Sequence, residues 1–247
     1  MRCGVSCAHV TLPHVSEPLA VVLIPGLLLS ARLYAQQIPE LWRRAPVMVA
    51  AHTRDDSMAA IARRILAAAP ARFALVGLSM GGYIAFEILR QAPERVARLA
   101  LLDTMATPDT PEVSAARRTQ MALAETGNLG AVVGNLFPRL VHPAQHDDAE
   151  LRALIDAMAA DVGVQGYLRQ QRANLARPDS RPTLAAIGCP TLVLVGEQDA
   201  LTPPERAVEM ARGVGGARLV RLPDCGHLSA LERPREVTQA LLDWLAA

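Results

Sequence analysis

The chain has no lysine: all 25 of its basic residues are arginine. A Schiff-base lysine, a pyridoxal-phosphate enzyme of the usual kind and a Walker-type phosphate loop each need an amine, so those chemistries are excluded. Aromatic residues make up only 3% of the 247 residues, too few to build stacking platforms for single-stranded nucleic acid. Neither sign of charge is in excess. The 25 basic residues face 24 acidic ones for a net charge of +1, which argues against non-specific nucleic-acid binding and against a polybasic membrane anchor. The four cysteines, Cys3, Cys7, Cys189 and Cys225, form neither a C-x-x-C pair nor a zinc-ribbon spacing. They read as reduced thiols of a cytoplasmic protein, and a Cys3–Cys7 bridge would staple only a terminus. Long apolar runs are missing too. The longest, Leu19–Leu29, is interrupted by Pro25-Gly26 and falls short of the roughly 18 residues of a membrane span. Met1–Val10 carry no secretory apolar core.

What is present is a rhythm. Short continuous apolar runs occur at Leu19–Ile24, Pro46–Ala50, Phe73–Leu78, Val96–Asp103, Thr191–Val195 and Arg218–Leu222. Continuous rather than alternating runs indicate strands covered on both faces. Helical patterns separate them at Ala31–Trp42, Ser57–Ala69, Met80–Gln91, Pro204–Arg212 and Arg235–Ala246, with Asp56 or Ser57 able to cap the second and Pro93 closing the third. The alternation predicts an α/β fold with a mostly parallel, doubly wound sheet. At 247 residues such a fold forms one unit with a sizeable core.

From Thr104 to Ile187 the β runs stop. Helical patterns at Pro111–Gly127, Leu129–Phe137, Asp147–Ala160 and Val164–Leu175 take their place. An insertion of roughly 80 residues is far too long for a crossover loop. It reads as a helical cap over residues 105–186, inserted before the last two strands, with the α/β core formed by 1–104 and 187–247. The competing reading is a helical subdomain remote from any site, but insertions at strand carboxyl ends face the ligand crevice.

The sharpest motif is Gly77-Leu78-Ser79-Met80-Gly81-Gly82, a G-x-S-x-G at a strand end and helix start. A tight turn there holds a serine in strained geometry with its Oγ above the sheet, and the glycines allow strand and helix to approach. Its bland alternative is a Gly-rich turn with an N-cap serine. A nucleophilic serine needs a base, and the base needs an orienting acid. Among six histidines, His227 in the loop after the last strand can reach the strand tips. His9 and His14 lie near the terminus, His142 and His146 in the insertion, and His52 after the second strand is a rival. The acid fits Asp199, in the turn Gly196-Glu197-Gln198-Asp199 after a strand. Asp103, at the end of Leu101-Leu102-Asp103, is the alternative, and otherwise caps the start of the inserted helices. Asp224 reads as a turn residue. His142 and His146 have an i, i+4 spacing, but Pro143 between them and the missing glutamate speak against a zinc site.

Gly77–Gly82, Asp199 and Gly226-His227, in the order Ser79, Asp199, His227, resemble the α/β-hydrolase superfamily, and within it the small capped esterases, enol-lactonases and carbon–carbon-bond hydrolases. The resemblance covers nearly the whole chain from Leu19 onward and specifies the substrate hardly at all. It implies an acyl transfer in which backbone N–H groups of Leu27 and Met80 form an oxyanion hole. The loop after the first strand usually begins His-Gly in such enzymes, whereas this chain has Pro25-Gly26. The resemblance also implies a reduced N-terminal antiparallel edge, because little chain precedes Leu19. Gly26, Leu28 and Leu201 are expected to contact a small-molecule substrate, with Phe137 and Tyr167 as the chief cap aromatics. Neither metal nor organic cofactor is required. The expected activity is hydrolysis of a small carboxylic ester or lactone. The alternatives are a lyase or carbon–carbon hydrolase using the same Ser–His pair as a base, and a non-catalytic small-molecule binding module.

Overall fold

The computed structural model describes residues 18–247. Cys3, Cys7, His9 and His14 lie outside them. The elements run β1 (Val21–Ile24), α1 (Gln37–Trp42), β2 (Val47–Val49), α2 (Met58–Ala68), β3 (Phe73–Leu78), α3 (Met80–Gln91), β4 (Val96–Leu102), α4 (Pro111–Glu125), α5 (Leu129–Leu140), α6 (Ala149–Leu175), α7 (Arg181–Leu184), β5 (Thr191–Gly196), α8 (Pro204–Gly213), β6 (Arg218–Leu222), α9 (Ser229–Glu232) and α10 (Pro234–Ala246). Among the described residues no helix is long and apolar enough to cross a membrane.

Six parallel strands form one sheet in the order β2-β1-β3-β4-β5-β6. Every residue of β1, β3 and β5 is buried, because helices cover both faces. Alternate side chains divide between two cores. Val21, Leu23, Val76, Leu102 and Leu194 pack toward α10 and the inserted helices. Val22, Ile24, Leu75, Leu101 and Val193 pack toward α2, α3 and α8. The chain leaves β1 toward β2 on one side, and β3 then lies on the other. This reversal opens a crevice at the carboxyl ends of β1 and β3, where open α/β sheets bind ligands.

Helix α2 starts at Ser57, whose Oγ accepts the Ala60 N–H at 3.3 Å. The helix expected over Ala31–Trp42 is not continuous. A 3-10 turn covers Ala31–Tyr34 and the α-helix begins only at Gln37. Running through would bury Pro39 in a helix interior, where it lacks an N–H and clashes with the Ala35 carbonyl; restarting at Gln37 puts it in the first turn.

Helices α4–α7 lie between β4 and β5. The two helical patterns on either side of Gly163 form one kinked element, α6, with Gly163 at φ 67°, a conformation only glycine adopts cheaply. Side chains of α6 tie it to loops of the sheet. Asp161 takes hydrogen bonds from Ser30 and Arg32, each at 2.8 Å. Arg169 Nε donates to the Thr53 carbonyl at 2.8 Å, and the Gln170 amide oxygen accepts the Leu28 N–H at 3.1 Å.

Candidate active site

Ser79 sits between β3 and α3 at φ 56°, ψ −117°. A non-glycine residue there is strained by about 1–3 kcal/mol, held only because the surroundings over-determine it. Those surroundings are specific. The Ser79 N–H donates to the Leu102 carbonyl at 3.0 Å, and the Ser79 carbonyl accepts from Thr104 Oγ1 at 2.7 Å. A Cβ on Gly81 would strike the carbonyl oxygen of Ile24, and one on Gly77 the backbone of Gly81. The two motif glycines therefore let β1, β3 and α3 close around the turn.

His227 lies in the loop between β6 and α9 and is 2% exposed. Its Nε2 is 2.9 Å from Ser79 Oγ, and its Nδ1 is 2.8 Å from Asp199 Oδ2. Asp199, in the turn after β5, also accepts the N–H groups of Leu201 and Thr202 on Oδ1, both at 2.8 Å, and the Thr202 hydroxyl on Oδ2 at 2.6 Å. The structure thus joins three side chains separated by up to 148 residues into one hydrogen-bonded line. Burial opposes charge on both titratable partners, but each offsets this for the other. The Asp199 carboxylate, by charge and hydrogen bond, holds the His227 imidazole above its ordinary pKa. Facing His227 and the donors around it, Asp199 is held below the usual carboxylate value.

Asp103 does not cap the inserted helices. It is fully buried, accepting the Gly196 N–H on Oδ1 at 3.0 Å and bonding Ser229 Oγ through Oδ2. Burial, reinforced by the neighbouring Asp199 charge, pushes its pKa well above the usual carboxylate range. His52 is buried with Nε2 3.0 Å from the Gly26 carbonyl oxygen, and burial lowers its pKa. Asp224 occupies an exposed turn 3.6 Å from Arg233. His142 Nδ1 accepts the Ala144 N–H at 3.1 Å, and His146 Nε2 lies 2.9 Å from the Pro138 carbonyl. No group of three potential metal ligands occurs among the described residues.

A cavity of about 570 Å³ opens over Ser79 and His227, within the range of small-molecule sites. Leu28 and Leu201 line it together with Leu27, Met80, Val133 and Ile155, so strand-end loops and inserted helices share the wall. Gly26 is not among its lining residues. Phe137 and Tyr167 are buried in the core instead of facing it. The N–H of Met80 opens α3 and so has no carbonyl four residues earlier in the helix. The Leu28 N–H is occupied by Gln170, and Leu28 itself has φ 61°.

Two residues were invisible to motif reasoning. Gln170, fully buried on α6, anchors the loop after β1. Glu232 gathers the N–H groups of Gly226, Leu228 and His142 at 3.1, 3.1 and 2.7 Å, fixing the His227 loop against the end of α5. Its position five residues after His227, on the first turn following that loop, was the available signal.

With this geometry, the comparisons converge. The family model described as alpha/beta hydrolase fold matches residues 48–234, and the chain belongs to that family of hydrolases. It is 30% identical over 201 residues, 78% of this chain and 74% of the relative, to "Putative carbamate hydrolase RutD" of Klebsiella pneumoniae. Among solved structures, a thermophilic esterase from Thermogutta terrifontis is 33% identical with a TM-score of 0.85, covering 93% of this chain and 90% of that one. The enol-lactonase from Burkholderia xenovorans LB400 is 26% identical with a TM-score of 0.82, covering 96% and 94%.

Proposed function

We propose that the protein is a serine hydrolase that cleaves a small carboxylic ester or lactone through an acyl-enzyme. The observation that carries the reading is the unbroken line from Ser79 Oγ through His227 to Asp199, at 2.9 and 2.8 Å, at the floor of a largely aliphatic cavity. His227 Nε2 takes the proton of Ser79 as Oγ bonds to the substrate carbonyl carbon. The carbonyl oxygen becomes an oxyanion, and the Leu27 and Met80 N–H groups receive it; one such donor is worth about 3 kcal/mol. His227 returns its proton to the leaving oxygen as the acyl bond breaks. Water then repeats the attack on the acyl-enzyme with the same base. Asp199 holds Nδ1 protonated so that Nε2 is the free acceptor, and it stabilises the imidazolium.

Residues 105–186 act as the cap, and their contribution to the cavity wall supports that role. The relatives named as an esterase and an enol-lactonase support the same substrate class. The test is a panel of nitrophenyl esters, lactones and β-diketones, run beside fluorophosphonate labelling of wild type and Ser79→Ala. Ester or lactone turnover with labelling that disappears in Ser79→Ala is expected. Labelling that persists in Ser79→Ala refutes the nucleophile. Labelled Ser79 with turnover of β-diketones alone would establish the carbon–carbon hydrolase reading instead.

A further inference from the structure

The charge on the cavity wall is lopsided. Four arginines line it, Arg117, Arg139, Arg181 and Arg206, against one carboxylate, Asp109, in a chain whose net charge is only +1. Three of these arginines are exposed at the rim, and two of them pair with carboxylates outside the wall, Arg181 with Asp179 and Arg206 with Glu209. Arg117 is different. Its Nε and Nη2 donate to Asp109 Oδ2 and Oδ1 at 2.6 and 3.3 Å, and its Nη1 donates to Gln171 Oε1 at 2.8 Å. Behind it a second guanidinium, Arg177, reaches Asp109 Oδ1 at 2.7 Å. Side-chain exposures are 16% for Arg117 and 3% for both Asp109 and Arg177. Burial alone would raise Asp109, but hydrogen bonds and charges from both arginines hold it below its ordinary pKa, so it stays a carboxylate. The partly buried Arg117 and the buried Arg177 therefore share one carboxylate, leaving the cluster with a positive charge in excess.

Buried charge of one sign is costly unless a counter-charge meets it. One buried donor of the cluster is also unfilled: Arg177 Nε has no hydrogen-bond partner. Tyr83, over whose ring Arg177 stacks at 4.3 Å, lines the cavity too. Elsewhere the lining is aliphatic, with Leu27, Leu28, Val133, Leu136 and Leu201.

We propose that the Arg117–Asp109–Arg177 cluster is an anion subsite, so that the substrate cleaved at Ser79 carries a carboxylate remote from its scissile carbonyl. The carboxylate takes the one N–H that each terminal nitrogen of Arg117 keeps after its bonds to Asp109 and Gln171. At the rim, Arg139, which bonds a carbonyl and not a carboxylate, adds to the potential that draws the anion in. The inference rests on the hydrolase reading for its substrate, but the subsite is testable without it.

The experiment uses a matched pair of five-carbon acyl esters, mono-4-nitrophenyl glutarate and 4-nitrophenyl valerate, which differ at the far end by a carboxylate in place of a methyl. A charge-assisted hydrogen bond corresponds to about tenfold to a hundredfold in affinity. Wild type should therefore prefer the glutarate ester by tenfold or more in kcat/KM, and raising NaCl from about 0.05 to 0.5 M should erode the preference as the rim is screened. Arg117→Gln balances the cluster and should reduce the glutarate-to-valerate ratio about tenfold. Asp109→Asn adds one positive charge and should raise it. The ratio cancels general losses, and the wild-type measurement stands even where a variant fails to fold. A wild-type ratio of one or less overturns the proposal. In parallel, monomethyl glutarate is titrated into Ser79→Ala by calorimetry. Saturable binding that Arg117→Gln abolishes upholds the subsite even if neither ester is hydrolysed, in which case it is the ester reading that falls. The absence of both hydrolysis and binding overturns the subsite itself.

Discussion

Replacing Asp199 by asparagine tests the proposed triad at the point where the structure is most constraining. Oδ1 accepts the Leu201 and Thr202 N–H groups, both at 2.8 Å. The amide oxygen of an asparagine must therefore take the Oδ1 place, and its NH2 must take the Oδ2 place, 2.8 Å from His227 Nδ1. An NH2 there needs an acceptor, so Nδ1 gives up its proton and Nε2 becomes the protonated nitrogen. Nε2 is 2.9 Å from Ser79 Oγ and can then no longer receive the serine proton. The Thr202 hydroxyl can turn from donor to acceptor, so the turn after β5 keeps its bonds and the fold is retained. The wrong tautomer costs on the order of 10⁴ in kcat, equivalent to about 5 kcal/mol of transition-state stabilisation. Asp103→Asn leaves the His227–Asp199 bond untouched and should cost far less. The assay is steady-state hydrolysis of 4-nitrophenyl butyrate alongside thermal unfolding of each variant. A folded Asp199→Asn protein within tenfold of wild type, or a larger loss for Asp103→Asn, refutes the tautomer reasoning and moves the orienting role to β4.

Ser79→Ala should lower turnover by about 10⁴ or more and abolish fluorophosphonate labelling, read by intact-protein mass. Because Asp199 raises the His227 pKa and the base works only when neutral, kcat/KM should fall as pH drops through a value above that of a free histidine; an inflection below that value contradicts the assignment. Gln170→Ala strips the Leu28 N–H of its acceptor and loosens the loop carrying Leu27, so kcat should drop about tenfold or more while KM changes little; equal changes in both would place Gln170 in substrate binding. A cavity of about 570 Å³ limits the acyl group, so esterase rates should peak between acetate and roughly octanoate, and a rate still climbing at palmitate argues for an open groove.

The strands, the helical insertion and the serine turn are legible in the amino-acid pattern, because each is a local matter. Continuous apolar runs such as Thr191–Val195 leave a strand no solvent face, and Gly77 and Gly81 sit beside Ser79 in a six-residue motif. Asp199 and His227 could be chosen as candidates from their places after strands, but Asp103 stood after a strand as well. Only the packed sheet separated them. It turned Asp103 inward onto Gly196 and Ser229 and aimed Asp199 at the imidazole. Sequence patterning could not show Gln170 reaching 142 residues back to Leu28, since residue type does not announce a buried hydrogen bond, and for the Glu232 clamp it offered only a place on the turn after the His227 loop. It also ran a helix through Pro39, where the ring forced a break. The charge of the cavity was the least legible of all. A nearly neutral chain gives no hint that Arg117 and Arg177 converge on one Asp109, because that excess exists only once segments from separate parts of the insertion meet at the cavity wall.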